Sequence, residues 1–270
     1  MSDPTASARI VSVVGAAGEI GTELCARLPG ILGPGWRLRA ADLRDDVAHG
    51  ISPLDITDLD AYARHCAGVD TVIHLAGERD HEAGWDRLVG PNVIGAHHAF
   101  AAAQQAGCRR VVFASSVHAV AGHRLDERLG PATLPHPSGL YGATKVWGES
   151  LARVYADHGA LSCICVRIGW AGAADDRRKL RVADARDLYL TYDDAARLFG
   201  ACVLADDEVR FAVLNGASAN TGSRFPVDAA RRVVGYQPQD DAHVLWARLV
   251  DGPTAPEPPP RGRAVNPPRS

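Results

Sequence analysis

An apolar run that ends in evenly spaced glycines constrains this chain more than any other feature. Residues 11–21 read Val-Ser-Val-Val-Gly-Ala-Ala-Gly-Glu-Ile-Gly, so Gly15, Gly18 and Gly21 recur at every third position. The pattern predicts a buried strand that turns directly into a helix. Glycines let the backbone approach a pyrophosphate, and the first N–H groups of the helix can hold it. The residues expected to contact such a dinucleotide are Gly15, Ala17, Gly18, Glu19 and Ile20.

Short apolar runs alternate with helical patterns along most of the chain. Uninterrupted runs suit strands that are covered on both faces, and hence a parallel sheet. The predicted strands are Arg9–Val14, Arg37–Ala41, Thr71–Leu75, Arg110–Ala114, Leu161–Ile168 and Arg210–Leu214, and the predicted helices are Glu19–Leu28, Asp58–Cys66, Trp85–Ala106 and Tyr141–His158. Right-handed crossovers then give an α/β fold, a Rossmann-type doubly wound parallel sheet with a small C-terminal substrate-binding region.

Changes in composition divide the chain into segments. We expect a disordered N-terminus at residues 1–8, a dinucleotide-binding domain over 9–168, a small substrate-binding region with a late strand and helices over 169–251, and a Pro-rich tail over 252–270. Two long loops are also predicted, Gly122–Leu140 and the charged segment Ala171–Asp187. Loops of this length in a compact domain are usually functional or mobile.

Composition argues against several classes of function. The net charge of the 270 residues is -3, so no basic field indicates a nucleic-acid or membrane partner. No apolar run reaches the roughly 18 residues of a membrane-spanning helix, and residues 1–8 lack the order of a secretory signal. The six scattered cysteines fit reduced core thiols, which predicts a cytoplasmic protein. Neither they nor the histidines have the spacing of a metal site.

A carboxylate at the end of the second predicted strand bears on the choice of cofactor. Asp42 can accept hydrogen bonds from both ribose hydroxyls of an adenosine. It would repel a 2′-phosphate, which favours NAD over NADP, although the nearby Arg44 softens that preference. Asp55 either meets the adenine or caps a helix, and Asn92 either bonds backbone between strands or is a surface amide. The other expected cofactor contacts are Leu43, Ile56, Leu75, Ala76, Gly77, Ala114 and Ile168.

Tyr141 and Lys145 lie four residues apart on a predicted helix and therefore share one face. An ammonium beside a phenol favours the phenolate, which can accept a proton from a substrate hydroxyl. Lys145 can also hold the nicotinamide ribose, so both residues are expected at the cofactor as well. Ser116 follows the fourth predicted strand, where its hydroxyl can bind the reacting oxygen. Ser116, Tyr141 and Lys145 are the predicted catalytic residues.

These motifs, in this order, resemble one known family. The glycine turn, Asp42, His74-Leu-Ala-Gly77, Ser115-Ser116 and Tyr141-Gly-Ala-Thr-Lys145 resemble the extended short-chain dehydrogenase/reductases, the NAD-dependent epimerase/dehydratase family. The resemblance covers nearly the whole chain and implies a catalytic triad in which Tyr141 exchanges the proton. Residues 112–118, 127–131, 138–142, 166–169 and 215–220 are similar to uronate dehydrogenases. That similarity implies oxidation of the C1 hemiacetal hydroxyl of a hexuronic acid to a lactone with NAD.

The chain departs from the uronate dehydrogenase pattern where the substrate is expected. Val117 occupies the position of an asparagine in the uronate dehydrogenase pattern, and Trp170 occupies the position of a serine. Glu78-Arg79 falls where that pattern has a small polar residue. By the resemblance, the carboxylate-binding arginine falls in the charged segment, where Arg181 and Arg186 are the candidates. The predicted substrate residues are Arg79, Ser116, Val117, His118, Trp170 and Arg186.

Three functions remain open from the sequence. The first is an NAD-dependent dehydrogenase of a sugar, a sugar acid or a related secondary alcohol. The second is a nucleotide-sugar epimerase or dehydratase with tightly bound NAD, for which the short stretch after Gly169 leaves little room. The third is a non-catalytic nicotinamide sensor, a role in which the tyrosine or lysine is often lost. The resemblance also implies a homo-oligomer, in which two long helices with apolar outer faces pair across a two-fold axis.

Overall fold

The computed structural model describes residues 8–251. The predicted disordered N-terminus spans residues 1–8, of which 1–7 lie outside the described part of the chain, as does the whole predicted Pro-rich tail over 252–270. Within the described part, the chain forms a seven-stranded sheet and a separate two-stranded sheet, both flanked by helices.

All neighbouring strands of the large sheet are parallel. The strands of the two sheets are β1 (Arg9–Val14), β2 (Trp36–Asp42), β3 (Ile51–Pro53), β4 (Thr71–His74), β5 (Arg110–Ser116), β6 (Ser162–Ile168), β7 (Trp170–Gly172), β8 (Tyr189–Thr191) and β9 (Phe211–Gly216). The order in the large sheet is β3-β2-β1-β4-β5-β6-β9, while β7 pairs with β8. This confirms the doubly wound sheet, and the order reverses between β1 and β4, where such folds open a ligand crevice.

Helices cover both faces of the large sheet. They are α1 (Glu19–Leu32), α2 (Leu59–Cys66), α3 (Trp85–Leu88), α4 (Gly95–Gln105), α5 (Leu140–His158), α6 (Arg177–Leu180), α7 (Ala183–Arg186), α8 (Tyr192–Leu204), α9 (Asp228–Val234) and α10 (Ala242–Asp251). One buried apolar layer contains α1, α8 and α9 residues, and the other contains α2, α4 and α5 residues. Strand side chains alternate between the two layers, as with Val112 in the first and Phe113 in the second, so both faces exclude water.

Several local features differ from the sequence-based expectations, and one of them is the predicted loop Ala171–Asp187, which contains the short helices α6 and α7. The predicted helix Trp85–Ala106 is interrupted by a wide π-helical turn at Val89–Ile94, which contains a proline. Helix α1 continues past its expected end at Leu28 to Leu32, because both leucines are buried in the same core layer. The edge strand β3 and the small β7–β8 sheet were not predicted, since each of these strands spans only three residues and carries no periodic signal.

Candidate active site

The carboxyl ends of β1, β2, β4, β5 and β6 meet at a single cleft of about 910 Å³. The glycine-rich turn lies at one end of its wall, and Ser116, Tyr141 and Lys145 also line it. The predicted residues that line the cleft are Gly15, Gly18, Glu19, Ile20, Asp42, Leu43, Asp55, Ile56, Leu75, Ala76, Gly77, Ala114 and Ile168, with Arg79, Ser116, His118, Tyr141, Lys145 and Trp170. The sequence pattern therefore locates one continuous site rather than scattered residues.

The glycine-rich turn is packed so tightly that side chains are excluded. Gly15 has φ +94°, and a Cβ atom there would lie 2.6 Å from the backbone nitrogen of Ala76. A Cβ on Gly21 would lie 2.1 Å from the Gly15 carbonyl oxygen. The Gly15 and Ala16 N–H groups both donate to the carbonyl of Ala41, at 2.9 and 3.0 Å. These contacts draw α1 against β1 and β2, as a dinucleotide-binding turn requires.

The N-terminus of α1 faces the cleft without a side-chain cap. Gly18 is the N-cap residue and supplies no capping side chain, so the first helical N–H groups are available to an anion such as a pyrophosphate. Asp42 ends β2 beside this turn, and its Oδ2 accepts a hydrogen bond from the Ala17 N–H at 3.0 Å. Ala17 thus holds Asp42 in place and does not itself line the cleft. These residues fit the pyrophosphate and adenosine ribose of NAD.

The Asn92 side chain hydrogen-bonds to backbone groups and does not line the cleft. Its side chain is 4 % exposed and lies in the π-helical turn. It accepts a hydrogen bond from the Glu78 N–H at 2.7 Å and donates to the Glu78 carbonyl at 3.0 Å. Gly77, just before this clamp, has φ +154°, and a Cβ there would lie 3.0 Å from the Asn92 Oδ1. Asn92 therefore fixes the path of the segment that leaves β4 under the cofactor.

Asp55 lines the cleft but is engaged in a local turn. Its Oδ1 accepts hydrogen bonds from both the backbone N–H and the hydroxyl of Thr57, at 2.8 and 2.7 Å. These bonds lower the pKa of Asp55 below its ordinary value. The N-cap of α2 is Asp58 and not Asp55, and the Asp58 carboxylate accepts from the Ala61 N–H at 2.9 Å.

The three predicted catalytic residues converge where β5 meets α5. Lys145 is 7 % exposed, and its ammonium donates to the Ala114 carbonyl at 3.0 Å and lies 5.5 Å from the centre of the Tyr141 ring. Ser116 ends β5, and its Oγ accepts a hydrogen bond from the His118 N–H at 3.2 Å. Gly142 makes this approach possible, because a Cβ there would lie 2.2 Å from the His118 carbonyl oxygen.

A buried charged network lies beneath these residues. The Arg167 guanidinium donates to both carboxylate oxygens of Glu149 at 2.8 Å, and the Ser115 hydroxyl donates to the same carboxylate at 2.6 Å. The network joins α5, β6 and β5 directly behind Ser116. Sequence reasoning missed it, although Glu149 lies one helical turn beyond Lys145 on the same face.

The substrate end of the cleft carries two stacked histidines. The His118 ring meets the Tyr141 ring edge-on at 5.5 Å and stacks on His81 at 5.0 Å between centroids. Burial, and then the His81 charge, lower the pKa of His118 below its ordinary value.

Glu19, Arg79, Lys179 and Tyr192 form a group of polar side chains that we call the Glu19 cluster. Arg79 and Lys179 donate to the Glu19 carboxylate at 2.8 and 2.7 Å, and the Tyr192 hydroxyl donates to it as well. Burial raises the pKa of Glu19, but the hydrogen bonds from Lys179, Tyr192 and Arg79 leave the net pKa below its ordinary value. Glu19, Arg79 and Lys179 all line the cleft.

Two predicted substrate residues do not line the cleft. The Arg186 guanidinium donates to the Leu180 carbonyl at 2.8 Å and lies 5.7 Å from the centre of the Trp246 ring, so it is turned toward α10. Val117 is buried in the core layer beneath the site. The cation of the charged segment that does line the cleft is Lys179, because α6 directs it onto Glu19 and the Ala171 carbonyl. Neither Arg181 nor Arg186 takes that position.

The fold and the site together define a dinucleotide-binding α/β protein with the serine, tyrosine and lysine of a short-chain dehydrogenase/reductase. The sequence profile of the NAD dependent epimerase/dehydratase family matches residues 11–180. The chain therefore belongs to this family, which confirms the resemblance seen in its motifs.

Relatives of this chain include dehydrogenases named for a sugar phosphate and for uronates. It is 36 % identical over 200 residues to an NAD-dependent glucose-6-phosphate dehydrogenase of Haloferax volcanii, covering 70 % of this chain and 75 % of that protein. It is 30 % identical over 243 residues to a uronate dehydrogenase of Pseudomonas putida, covering 88 % and 86 %. A crystal structure of a variant uronate dehydrogenase from Agrobacterium tumefaciens with NAD superposes with a TM-score of 0.78 at 29 % identity, covering 94 % and 93 %.

Proposed function

We propose that this protein is an NAD-dependent dehydrogenase that oxidises the C1 hemiacetal hydroxyl of a sugar or sugar acid to a lactone. One observation carries the proposal. Ser116, Tyr141 and Lys145 converge at a cleft that also contains a glycine turn with an uncapped helix N-terminus and a ribose-binding carboxylate. The named activities of the relatives, on glucose 6-phosphate and on uronates, support the same class of substrate.

The side chains around β5 and α5 provide the proton chemistry. The Ser116 Oγ accepts from the His118 N–H, which leaves its own hydrogen to donate to the substrate oxygen. The Tyr141 phenolate accepts the proton of the substrate hydroxyl as the C1–H bond breaks. Lys145 donates one hydrogen to Ala114, and its remaining hydrogens can stabilise the phenolate. NAD, held by the glycine-rich turn, the α1 N-terminus and Asp42, would supply the hydride acceptor for C1.

Asp42 supports NAD rather than NADP as the cofactor. Its carboxylate ends β2 at the cleft and is held there by the Ala17 N–H. A 2′-phosphate would meet this negative charge, whereas ribose hydroxyls can donate to it. Arg44 also lines the cleft, so NADP is expected to be used poorly rather than not at all.

The test is NADH formation with a panel of hexuronic acids, neutral aldoses and secondary alcohols. In Tyr141→Phe, kcat is expected to fall at least about a hundredfold, because general base catalysis is removed, while the Kd for NAD stays unchanged. Tyr155→Phe is the matched control, since Tyr155 lies on the same helix but stacks on Phe100 away from the cleft. Full activity of Tyr141→Phe would contradict the mechanism. Tightly retained NAD without net NADH formation would instead favour the epimerase or dehydratase.

We also infer the cellular setting and the assembly of the protein. In residues 8–251 no helix is long and apolar enough to span a membrane. The six cysteines are all unpaired, as expected in the reducing cytoplasm. Exposed Leu140, Trp147 and Val154 on α5 support a homo-oligomer. Light scattering of the purified protein would contradict this inference if it showed a monomer at all concentrations.

A further inference from the structure

We infer that Arg79 and Lys179 form a binding site for an anionic group of the substrate, which the Glu19 carboxylate fills in the free enzyme. The inference rests on the proposed function and deepens it. It names the substrate as an aldose that carries a phosphate or a carboxylate away from C1.

The two cations approach one carboxylate from separate parts of the chain. Arg79 follows β4, whereas Lys179 lies on α6, beyond β7. The Arg79 Nη1 lies 2.8 Å from the Glu19 Oε2, and the Lys179 Nζ lies 2.7 Å from Oε1. Each cation thus takes a different oxygen, so their spacing already accommodates one oxyanion group. The Tyr192 hydroxyl adds a third donor.

Neighbouring acidic groups do not neutralise these cations. Glu78, adjacent to Arg79 in the chain, is paired with Arg87 at 2.6 Å. The second hydrogen bond of the Lys179 ammonium goes to the uncharged carbonyl of Ala171, and the Asp176 carboxylate accepts from the Lys179 backbone N–H rather than from the ammonium. Only Glu19 is found in an ion pair with Arg79 or Lys179 in the described part of the chain. A second anion would therefore compete with a single carboxylate.

Glu19 is held loosely enough to be replaced. The side chains of Arg79, Glu19 and Lys179 are 79 %, 40 % and 24 % exposed. Ion pairs with this much solvent contribute little to stability, since water and salt screen them. A phosphate carries more charge and more acceptor oxygens than the carboxylate that it would displace.

The site belongs to the same cleft as the catalytic residues. Arg79, Lys179, Ser116 and Tyr141 all line it, and Trp170, beside Ala171, forms part of the same wall. One small ligand can therefore present C1 to Tyr141 and an anion to the two cations. The pyrophosphate of NAD is the rival occupant, but the uncapped N-terminus of α1 already provides for it.

The experiment compares kcat/KM at saturating NAD for glucose, glucuronate and glucose 6-phosphate. In Lys179→Met and Arg79→Met, the ratio of kcat/KM for the anionic sugar to that for glucose is expected to fall about 10- to 100-fold. In Glu19→Gln, the same ratio is expected to rise a few-fold, because the competing carboxylate is gone. Arg178→Met is the matched control, since Arg178 is an exposed cation of α6 outside the cleft.

The outcomes separate this inference from the proposed function. An equal change for all three sugars, or a change confined to the KM for NAD, would overturn the site and assign the cations to the cofactor. The larger response of glucuronate or of glucose 6-phosphate shows which anion the site takes. If the wild type oxidises no sugar, the proposed function fails. Titration of Tyr141→Phe with NAD and glucose 6-phosphate, followed by tryptophan fluorescence, still tests the site. Binding that Lys179→Met does not weaken would overturn it.

Discussion

The part of the cleft around the glycine-rich turn, which we propose holds the cofactor and call the cofactor half, is built mainly from main chain. The part around the Glu19 cluster and Trp170, which we propose holds the substrate and call the substrate half, is built from side chains. In the cofactor half, Gly15 and Gly21 bring backbone segments so close that a methyl group would overlap them. In the substrate half, the Glu19 cluster joins parts of the chain through half-exposed ion pairs. The register of the parallel strands fixes the first half, and individual side chains determine the second.

This difference explains how one scaffold serves several substrates. Main-chain contacts cannot change unless strands move, so the cofactor site is tied to the fold. Side chains such as Trp170 or Lys179 can be exchanged without moving a strand. Two relatives fit this division, because they share this scaffold but are named for different substrates, glucose 6-phosphate and uronate.

The largest expected effect is in the glycine-rich turn. Gly21→Ala places a methyl group 2.1 Å from the Gly15 carbonyl oxygen and 2.8 Å from the Ala16 Cα, both of which are backbone atoms. Overpacking of this kind costs about 1–3 kcal/mol or more. The variant should therefore lose that free energy of unfolding and bind NAD at least tenfold more weakly. Denaturant titration and calorimetric NAD titration measure the two quantities.

Gly30→Ala is the matched control for this substitution. Gly30 lies on the same helix, and a methyl group there meets nothing within 4 Å. Its free energy of unfolding should stay level or rise slightly, because alanine favours helix. If Gly21→Ala bound NAD like the wild type, the cofactor half would not depend on its main-chain geometry.

The cofactor half is also the part that the sequence predicts best. Glycine spacing indicates close backbone contacts, and uninterrupted apolar runs indicate strands that are buried on both faces. Asp42 and the catalytic residues follow from their places at strand ends or on one helical face. All of these signals are local, so they can be found without knowing which distant segments meet.

The missed features depend on contacts between distant segments. Lys179 reaches Glu19 across 160 residues of sequence, and a charged loop with several arginines gives no sign of which cation turns inward. The sequence does not show that Glu149 and Arg167 form an ion pair, because the two residues meet only when α5 packs on β5 and β6. Asn92 is a candidate from the sequence, but the π-helical turn that holds it was missed, because the turn has no periodicity of its own.

Acid should lower the free energy of unfolding through the buried His74 and the half-buried His65. Burial, with the Lys145 charge, lowers the pKa of His74 to about 3, and burial, with the Arg39 charge, lowers that of His65 to about 4. The unfolded chain binds protons near pH 6.5, which the folded chain does not, so the free energy of unfolding falls as the pH drops below 6.5. Each residue should contribute up to about 1.4 kcal/mol per pH unit, until its folded pKa is reached.

Denaturant titrations between pH 6.5 and pH 5 measure this effect. The variant His74→Asn should show a shallower decline than the wild type. The variant His158→Gln should not, because His158 is exposed at the end of α5. An unchanged slope in His74→Asn would show that the buried histidine is not the source of the acid sensitivity.

The smallest expected effect is in the substrate half. Trp170 lines the cleft but is 39 % exposed, so Trp170→Ser should change the free energy of unfolding by less than about 1 kcal/mol. Selectivity among sugars should shift by up to about tenfold, while the Kd for NAD stays within about twofold. Trp85 is also exposed but lies outside the cleft, so Trp85→Ser should change neither the selectivity among sugars nor the Kd for NAD. If Trp170→Ser weakened NAD binding as much as Gly21→Ala does, the two halves would not be independent, and substrate changes in this family would require changes at the cofactor.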